Sequence, residues 1–521
     1  MAGRGLFLFL VYVPLLVLAA SAAGGAATTR IEALALAIPI GRQWSLFWRS
    51  IALALGVAVV GTAAGVLAAT VLQPWRSGPR RYLRWLVLAM IPVPPYVHAL
   101  AWMAVLFRFN SRLTAWDWPA LPLTGSLVAG WVELMALLPL AVGLALVALD
   151  AVPPELIEAG RIARSDVRVL ARVVLPLAGP LILAGTGLLF LLSVLDYSIP
   201  SLFQVNVYAL AIFADYSATG QVVRALAMAL PMVILAVMVV ALTQSRWRQA
   251  AERPVRPGAA LSAPPAWPSW FRLLQGLALV VLMLQMLVPF ASLLASVGSW
   301  NHFVETVVPA RDELAFSLGI AAAAAALCTL PALAVAHRLA LRGRHARWWW
   351  ALASLPLAVP APLVGIGMIL LWNRPSLPPL YNSAAMPVLA GAARFAPLAA
   401  IVLAAQLRRI DPLLVDAMRV YQRHPAGGWL RVQLPMLAPG LLAAGGLVFA
   451  LTLGELGATL LVAPPGRGTL TIRIYNYLHF GASDAVAGLC LVMTAATLAG
   501  GILTVTAFAA GSRLLAGGTK T

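Results

Sequence analysis

Charge is what this chain has least of. Only 10% of its 521 residues are Asp, Glu, Lys or Arg, against about 25% in a soluble domain. Acids are scarcer still, 17 beside 36 Lys and Arg. With 62% of residues hydrophobic, the chain carries more apolar side chain than a soluble core of this length buries. Cysteine is nearly absent, and Cys328 and Cys490 both fall inside apolar runs. That excludes a disulfide framework or a thiolate metal site and leaves two small packing residues. No Gly-x-x-x-x-Gly-Lys-Ser/Thr phosphate loop occurs, so the chain does not hydrolyse ATP by that route. No catalytic constellation converges from the polar segments either. The net charge of +19 is spread in short clusters between apolar runs rather than gathered on one domain, so a nucleic-acid partner is not expected.

What is present is apolar length. Runs of about 20 residues, each long enough to cross about 30 Å of hydrocarbon, recur near 5 to 23, 48 to 72, 84 to 107, 122 to 149, 173 to 195 and 222 to 244. A second six follow near 273 to 296, 314 to 336, 349 to 372, 384 to 407, 436 to 462 and 484 to 511. The expectation is an all-α polytopic membrane protein of about 12 transmembrane helices with lipid as its solvent. Gly (41) and Pro (38) sit inside many of these runs, which lipid-embedded helices tolerate better than soluble ones. The first run, with Arg4 before it and small residues Ala20 to Ala27 after it, also has the make-up of a cleavable signal peptide. A matching extra helix at 273 to 296 favours its retention.

With the N-terminus in the cytoplasm, 25 of the 36 cations fall in inside segments. They include Arg76, Arg80, Arg81 and Arg84, the group Arg161, Arg164, Arg168 and Arg172, and Arg408, Arg409, Arg419, Arg423 and Arg431. Lys and Arg accumulate on the cytoplasmic side of membrane proteins, so both termini are expected inside, in a bacterial inner membrane.

The chain echoes itself at a fixed offset. Asp150-Ala-Val-Pro-Pro-Glu-Leu-Ile-Glu158-Ala159-Gly160-Arg161 resembles Asp411-Pro-Leu-Leu-Val-Asp416-Ala417-Met418-Arg419, with Pro154 and Pro412 in register (412 − 154 = 258). Leu175-Pro176 and Leu434-Pro435 follow, and then Asp196 and Glu455, both at 259 (435 − 176, 455 − 196). Duplication is the economical explanation: a first six-helix half over 1–245, a polar Pro-rich linker over 246–271, and a second half over 272–521. In the second loop Asp411 suits a helix N-cap and Pro412 its first turn.

These loops make the sequence resemble the permeases of binding-protein-dependent ABC importers, whose signature runs Glu-Ala-Ala, three residues, Gly, nine residues, then Ile-x-Leu-Pro. The second loop keeps that spacing with Asp416, Ala417 and Met418, Gln422 at the glycine position, Val432, then Leu434 and Pro435. The first has Glu158, Ala159, Gly160 and Leu175-Pro176, with Arg164 near the glycine position, and is one residue shorter. The resemblance implies a type I importer permease fold. Arg161 and Arg419 join the coupling residues, and each loop docks on one of two copies of a cytoplasmic ATPase subunit. ATP and Mg would be bound by that partner, with no cofactor on this chain. A periplasmic solute-binding protein delivers the cargo. Arg394-Phe-Ala-Pro-Leu398 and Asp196-Tyr-Ser-Ile-Pro-Ser-Leu-Phe-Gln-Val-Asn206 resemble the ferric-iron and thiamine branch. Ferric iron is the expected solute, with thiamine or another small solute as the alternative. An ion-coupled secondary carrier is the rival class, but it needs a set of embedded coupling acids that this chain has few of.

Four ionisable residues fall in or near apolar runs, where charge is costly and often functional. Glu133 and Arg394 occupy equivalent spans, and one expectation is that they face each other across the interface between halves. Asp196 and Glu455 would line an exit vestibule or brace a helix break. His98, His302 and His479, with Tyr96, Tyr197 and Tyr208, lack ligand-like spacing, so no metal site is expected.

Overall fold

A computed structural model describes residues 2–24, 35–73, 79–252, 264–341, 343–376, 378–421, 425–479 and 483–517. Among these residues every regular element is helical and no strand occurs. The first series runs α1 (Ala2–Gly24), α2 (Arg42–Leu72), α3 (Pro79–Ala89), α4 (Pro95–Ala115), α5 (Ser126–Asp150), α6 (Pro154–Ala163), α7 (Leu175–Val194) and α8 (Val222–Glu252). The second runs α9 (Ser269–Val297), α10 (Arg311–Ala340), α11 (Arg344–Ser354), α12 (Ala361–Trp372), α13 (Ala385–Leu407), α14 (Pro412–Tyr421), α15 (Leu434–Leu453) and α16 (Ser483–Gly517). Short helices fill the breaks. Helices are the expected response to lipid, because a helix satisfies its backbone N–H and C=O groups within one segment.

Among the described residues ten helices are long and apolar enough to cross a membrane, or eleven if a bent pair counts as one span. The difference from twelve lies in the proline-rich runs. The apolar stretch at 349 to 372 is two helices meeting at 99°, Arg344–Ala358 and Ala361–Trp372, and the stretch at 84 to 107 divides into α3 and α4. Pro94-Pro95 and Pro360 remove backbone donors and hold the preceding residue extended, so an apolar run of spanning length cannot remain one straight helix. The run at 436 to 462 likewise stops at Leu453. In the other direction, α8 continues through Glu252, beyond the expected end of its apolar run.

Packing follows one plan in both series. Helix α2 packs on α5 and α7, and α10 packs on α13 and α15; α7 meets α8 as α15 meets α16. The leading helices cross over. Helix α1 packs on α10, α12 and α13 of the second series, while α9 packs on α2, α4 and α5 of the first. One crossing is close enough to demand glycine: a Cβ on Gly367 of α12 would lie 2.5 Å from the Pro14 carbonyl oxygen of α1. Interior prolines recur too, Pro139 with Pro397 (397 − 139 = 258) and Pro180 with Pro439 (439 − 180 = 259).

Candidate functional site

The two loops that echo each other in sequence fold alike. Each is a ten-residue helix, α6 or α14, then a four-residue helix (Asp166–Val169, Pro425–Gly428), a five-residue π-turn (Leu170–Val174, Trp429–Gln433) and a long apolar helix beginning at Leu-Pro. The π-turn has a local cause. Pro176 and Pro435 have no N–H to give the carbonyl four residues back, and their rings crowd it, so the preceding turn widens instead of breaking. The Leu-Pro pair is thus where a surface segment becomes a membrane helix without losing continuity. As expected, Asp411 caps α14: its Oδ1 accepts from Leu413 N–H at 2.9 Å. Helix α6 starts at Pro154 without such a cap, and Asp150 pairs with Arg84 of α3 at 2.8 Å.

The loops exchange large and small residues. Gly160 sits where a Cβ would meet Val169 at 3.2 Å, so α6 lies close against the following turn. In the second loop Met418 and Gly428 hold those two positions. Ala159, Arg164 and Pro176 are exposed, as are Asp416, Ala417 and Pro435, while Glu158, Arg161, Leu175, Met418 and Leu434 are half-buried. Gln422 lies outside the described residues, and of Arg419 only the helical backbone is described.

Sequence reasoning missed the apolar residues of these helices. Leu156 is 46% exposed and Ile162 90% on α6; Leu414 is 46% exposed and Val420 79% on α14. They occupy matching positions (414 − 156 and 420 − 162 are both 258). Their signal was faint, because Leu, Ile and Val are the commonest background in a chain this apolar.

The four ionisable residues form a second locality, at the breaks that end α7 and α15. Asp196 caps the short helix Ser198–Leu202, with Oδ1 accepting from Ser198 N–H at 3.1 Å and Ser198 Oγ–H at 2.7 Å, and Oδ2 from Ile199 N–H at 3.2 Å. Glu455 does the same for the next turn, its Oε1 accepting from Ala458 N–H at 2.7 Å. The backbone repeats as well: Asp196 N–H donates to Ser193 C=O, and Glu455 N–H to Thr452 C=O. Both acids therefore brace helix breaks.

The ionic partner of Arg394 is Glu455 rather than the expected Glu133. Arg394 pairs through Nη1 with Glu455 Oε2 in its own series. Glu133, 2% exposed, has carboxylate oxygens without a hydrogen-bond partner, and its electrostatic neighbours are Ser193 and Asp196. The reason is register. Aligned on Pro139 and Pro397, Glu133 matches Gly391 and Arg394 matches Ala136, so each charged side chain meets the acid of its own break. Arg394 also lies within electrostatic reach of Asp196 and Tyr197 across the interface. Among the described residues no group of three or more His, Cys, Asp or Glu is placed to hold a metal ion.

No protein-family model matches the chain. Curated relatives do. A protein of Salmonella typhimurium named as the 2-aminoethylphosphonate transport system permease PhnV is 30% identical over 224 residues, covering 42% of this chain and 83% of that protein. The molybdenum transport system permease ModB of Mycobacterium tuberculosis is 32% identical over 225 residues, covering 39% and 83%. A Haloferax volcanii protein named as a molybdenum ABC transporter permease is 30% identical over 248 residues, covering 44% and 86%. Relatives of this identity, matched over most of their own length, together with ten long apolar helices, make the chain a multi-pass membrane protein that belongs to the family of ABC transporter permease subunits.

Proposed function

We propose that the chain is a two-half importer permease, in which α6 and α14 are coupling helices for two copies of a cytoplasmic ATPase subunit. The observation that carries this is the paired surface segment: two ten-residue helices at one sequence offset, each exposing a Leu and a β-branched residue six positions apart and each feeding a membrane helix through a π-turn. An exposed apolar pair on the same short helix as an acid, Glu158 or Asp416, has the composition of a docking surface, apolar anchor within and polar groups around it. Duplication is supported by the recurring packing plan and by relatives that each match about two fifths of this chain over most of their own length. The crossed leading helices α1 and α9 tie the halves into one unit. ATP binding then closes the partner subunits, the two helices carry that movement inward, and the halves rock to expose a central path alternately.

In this reading the coupling helices and both termini are cytoplasmic, and a periplasmic binding protein delivers the solute to the opposite face. The segment Asp196 to Asn206 supports ferric iron as cargo. A second reading, a small oxyanion, is favoured by the names of the relatives. Co-expression with the cognate ATPase tests the docking. Ile162→Asp and Val420→Asp should each cut ATPase co-purification by about tenfold or more, the weight of one interface anchor, without changing membrane yield. Undiminished co-purification in the double variant refutes the assignment.

A further inference from the structure

The segment that joins the two series is bonded to the first coupling helix. Arg161 of α6 donates from Nη2 to the Pro264 carbonyl at 3.1 Å, and its Nε pairs with Asp166 Oδ1 at 2.7 Å. The other oxygen of Asp166 accepts from Ala266 N–H at 2.5 Å. One residue on, Trp267 packs against Phe271 with ring centroids 4.7 Å apart and joins the apolar cluster that contains Ile157, Val169 and Leu170. The Asp166 carboxylate is therefore shared between the coupling segment and the joining segment, and Trp267 seals the contact on its apolar side.

The second loop is built differently at this point. Asp166 opens the short helix after α6; its counterpart, the first residue of Pro425–Gly428, is a proline with no carboxylate to offer (425 − 166 = 259). We propose that Pro264–Trp267 is a strap that positions the first coupling helix, with Asp166 as the positioning residue, so that the first ATPase docking site is preorganised by a carboxylate contact that Pro425 cannot make in the second. Ordering a docking element before its partner arrives removes part of the entropic cost of binding. The first site is then the tighter of the two, and the joining segment is a working part of the first half rather than a passive tether. This rests on the coupling role given above to α6 and α14.

The test uses the full-length permease in lipid nanodiscs. Spin labels are placed on Ile162→Cys or Val420→Cys; the native Cys328 and Cys490 are fully buried and stay unlabelled. Ala266→Pro removes the N–H that Asp166 accepts, whereas Ala266→Gly keeps it. The expected result is greater mobility of the label at position 162 in Ala266→Pro only, no change at 420, and ATP-driven uptake by the unlabelled chain lowered by about tenfold or more in Ala266→Pro, the weight of one hydrogen bond to a charged group. Equal mobility in the proline and glycine variants overturns the strap, and so does an equal rise at both labels. The mobility arm needs no ATPase, so a failure of the coupling reading, seen as no ATPase co-purification with the unmodified chain, is distinguishable from a failure of the strap.

Discussion

Arg394 and Glu455 show how this chain handles charge inside an apolar structure. Glu455 is almost fully buried and serves two donors at once, the Ala458 amide that starts the next turn and the Arg394 guanidinium. Removing one member of such a pair leaves the other as an uncompensated buried charge. Arg394→Gln should therefore lower stability by about 3 kcal/mol, near the bottom of the range for buried pairs because Arg394 keeps some exposure. A clear fall in the thermal unfolding midpoint is the readout. Adding Glu455→Gln should recover most of the loss, since the neutral amide still accepts from Ala458; no recovery would show that the pair is not what holds the break. Asp411 was legible in sequence because capping is local, fixed by a residue and its next two neighbours. The partner of Arg394 was not, because it depends on which way a helix turns relative to a break 61 residues later.

At the scale of elements, the Leu-Pro signature has a mechanical meaning. Each proline forces a π-turn at the junction between coupling segment and membrane helix, which fixes the rotational phase between them. Pro435→Ala restores the missing N–H and permits an ordinary α-helical turn. Absorbing one residue in this way rotates α14 by about 100° relative to α15. Expression should hold or improve, because an interior proline costs about 3 kcal/mol, while uptake should fall by about tenfold or more as the docking face turns from its partner. Undiminished uptake would mean that helical phase is not transmitted through this junction. Long apolar helices were read from sequence to within a few residues at most ends, because spanning length is a strong signal. Proline-rich runs were not: hydropathy at 349 to 372 gives no sign of a 99° bend. The crossed leading helices were equally hidden, since nothing in an apolar run says which half it packs against.

The whole molecule is asymmetric within a symmetric plan. Its two series repeat packing, π-turns and helix breaks, yet differ where charge is placed. The first break holds Glu133 beside Asp196, and the second holds Arg394 with Glu455. Asp166, after α6, accepts a hydrogen bond from Ala266 of the segment that joins the two series, and the matching position after α14 is Pro425. In the proposed function, ATP hydrolysed by a separate subunit drives solute through this chain. The direct test is uptake into proteoliposomes containing the permease, with the cognate ATPase and binding protein supplied or withheld and iron, thiamine, phosphonate and molybdate offered in turn. Uptake of one solute class is expected only when ATP, the ATPase and the binding protein are all present. Uptake by the permease alone, driven by a proton or sodium gradient, would contradict it.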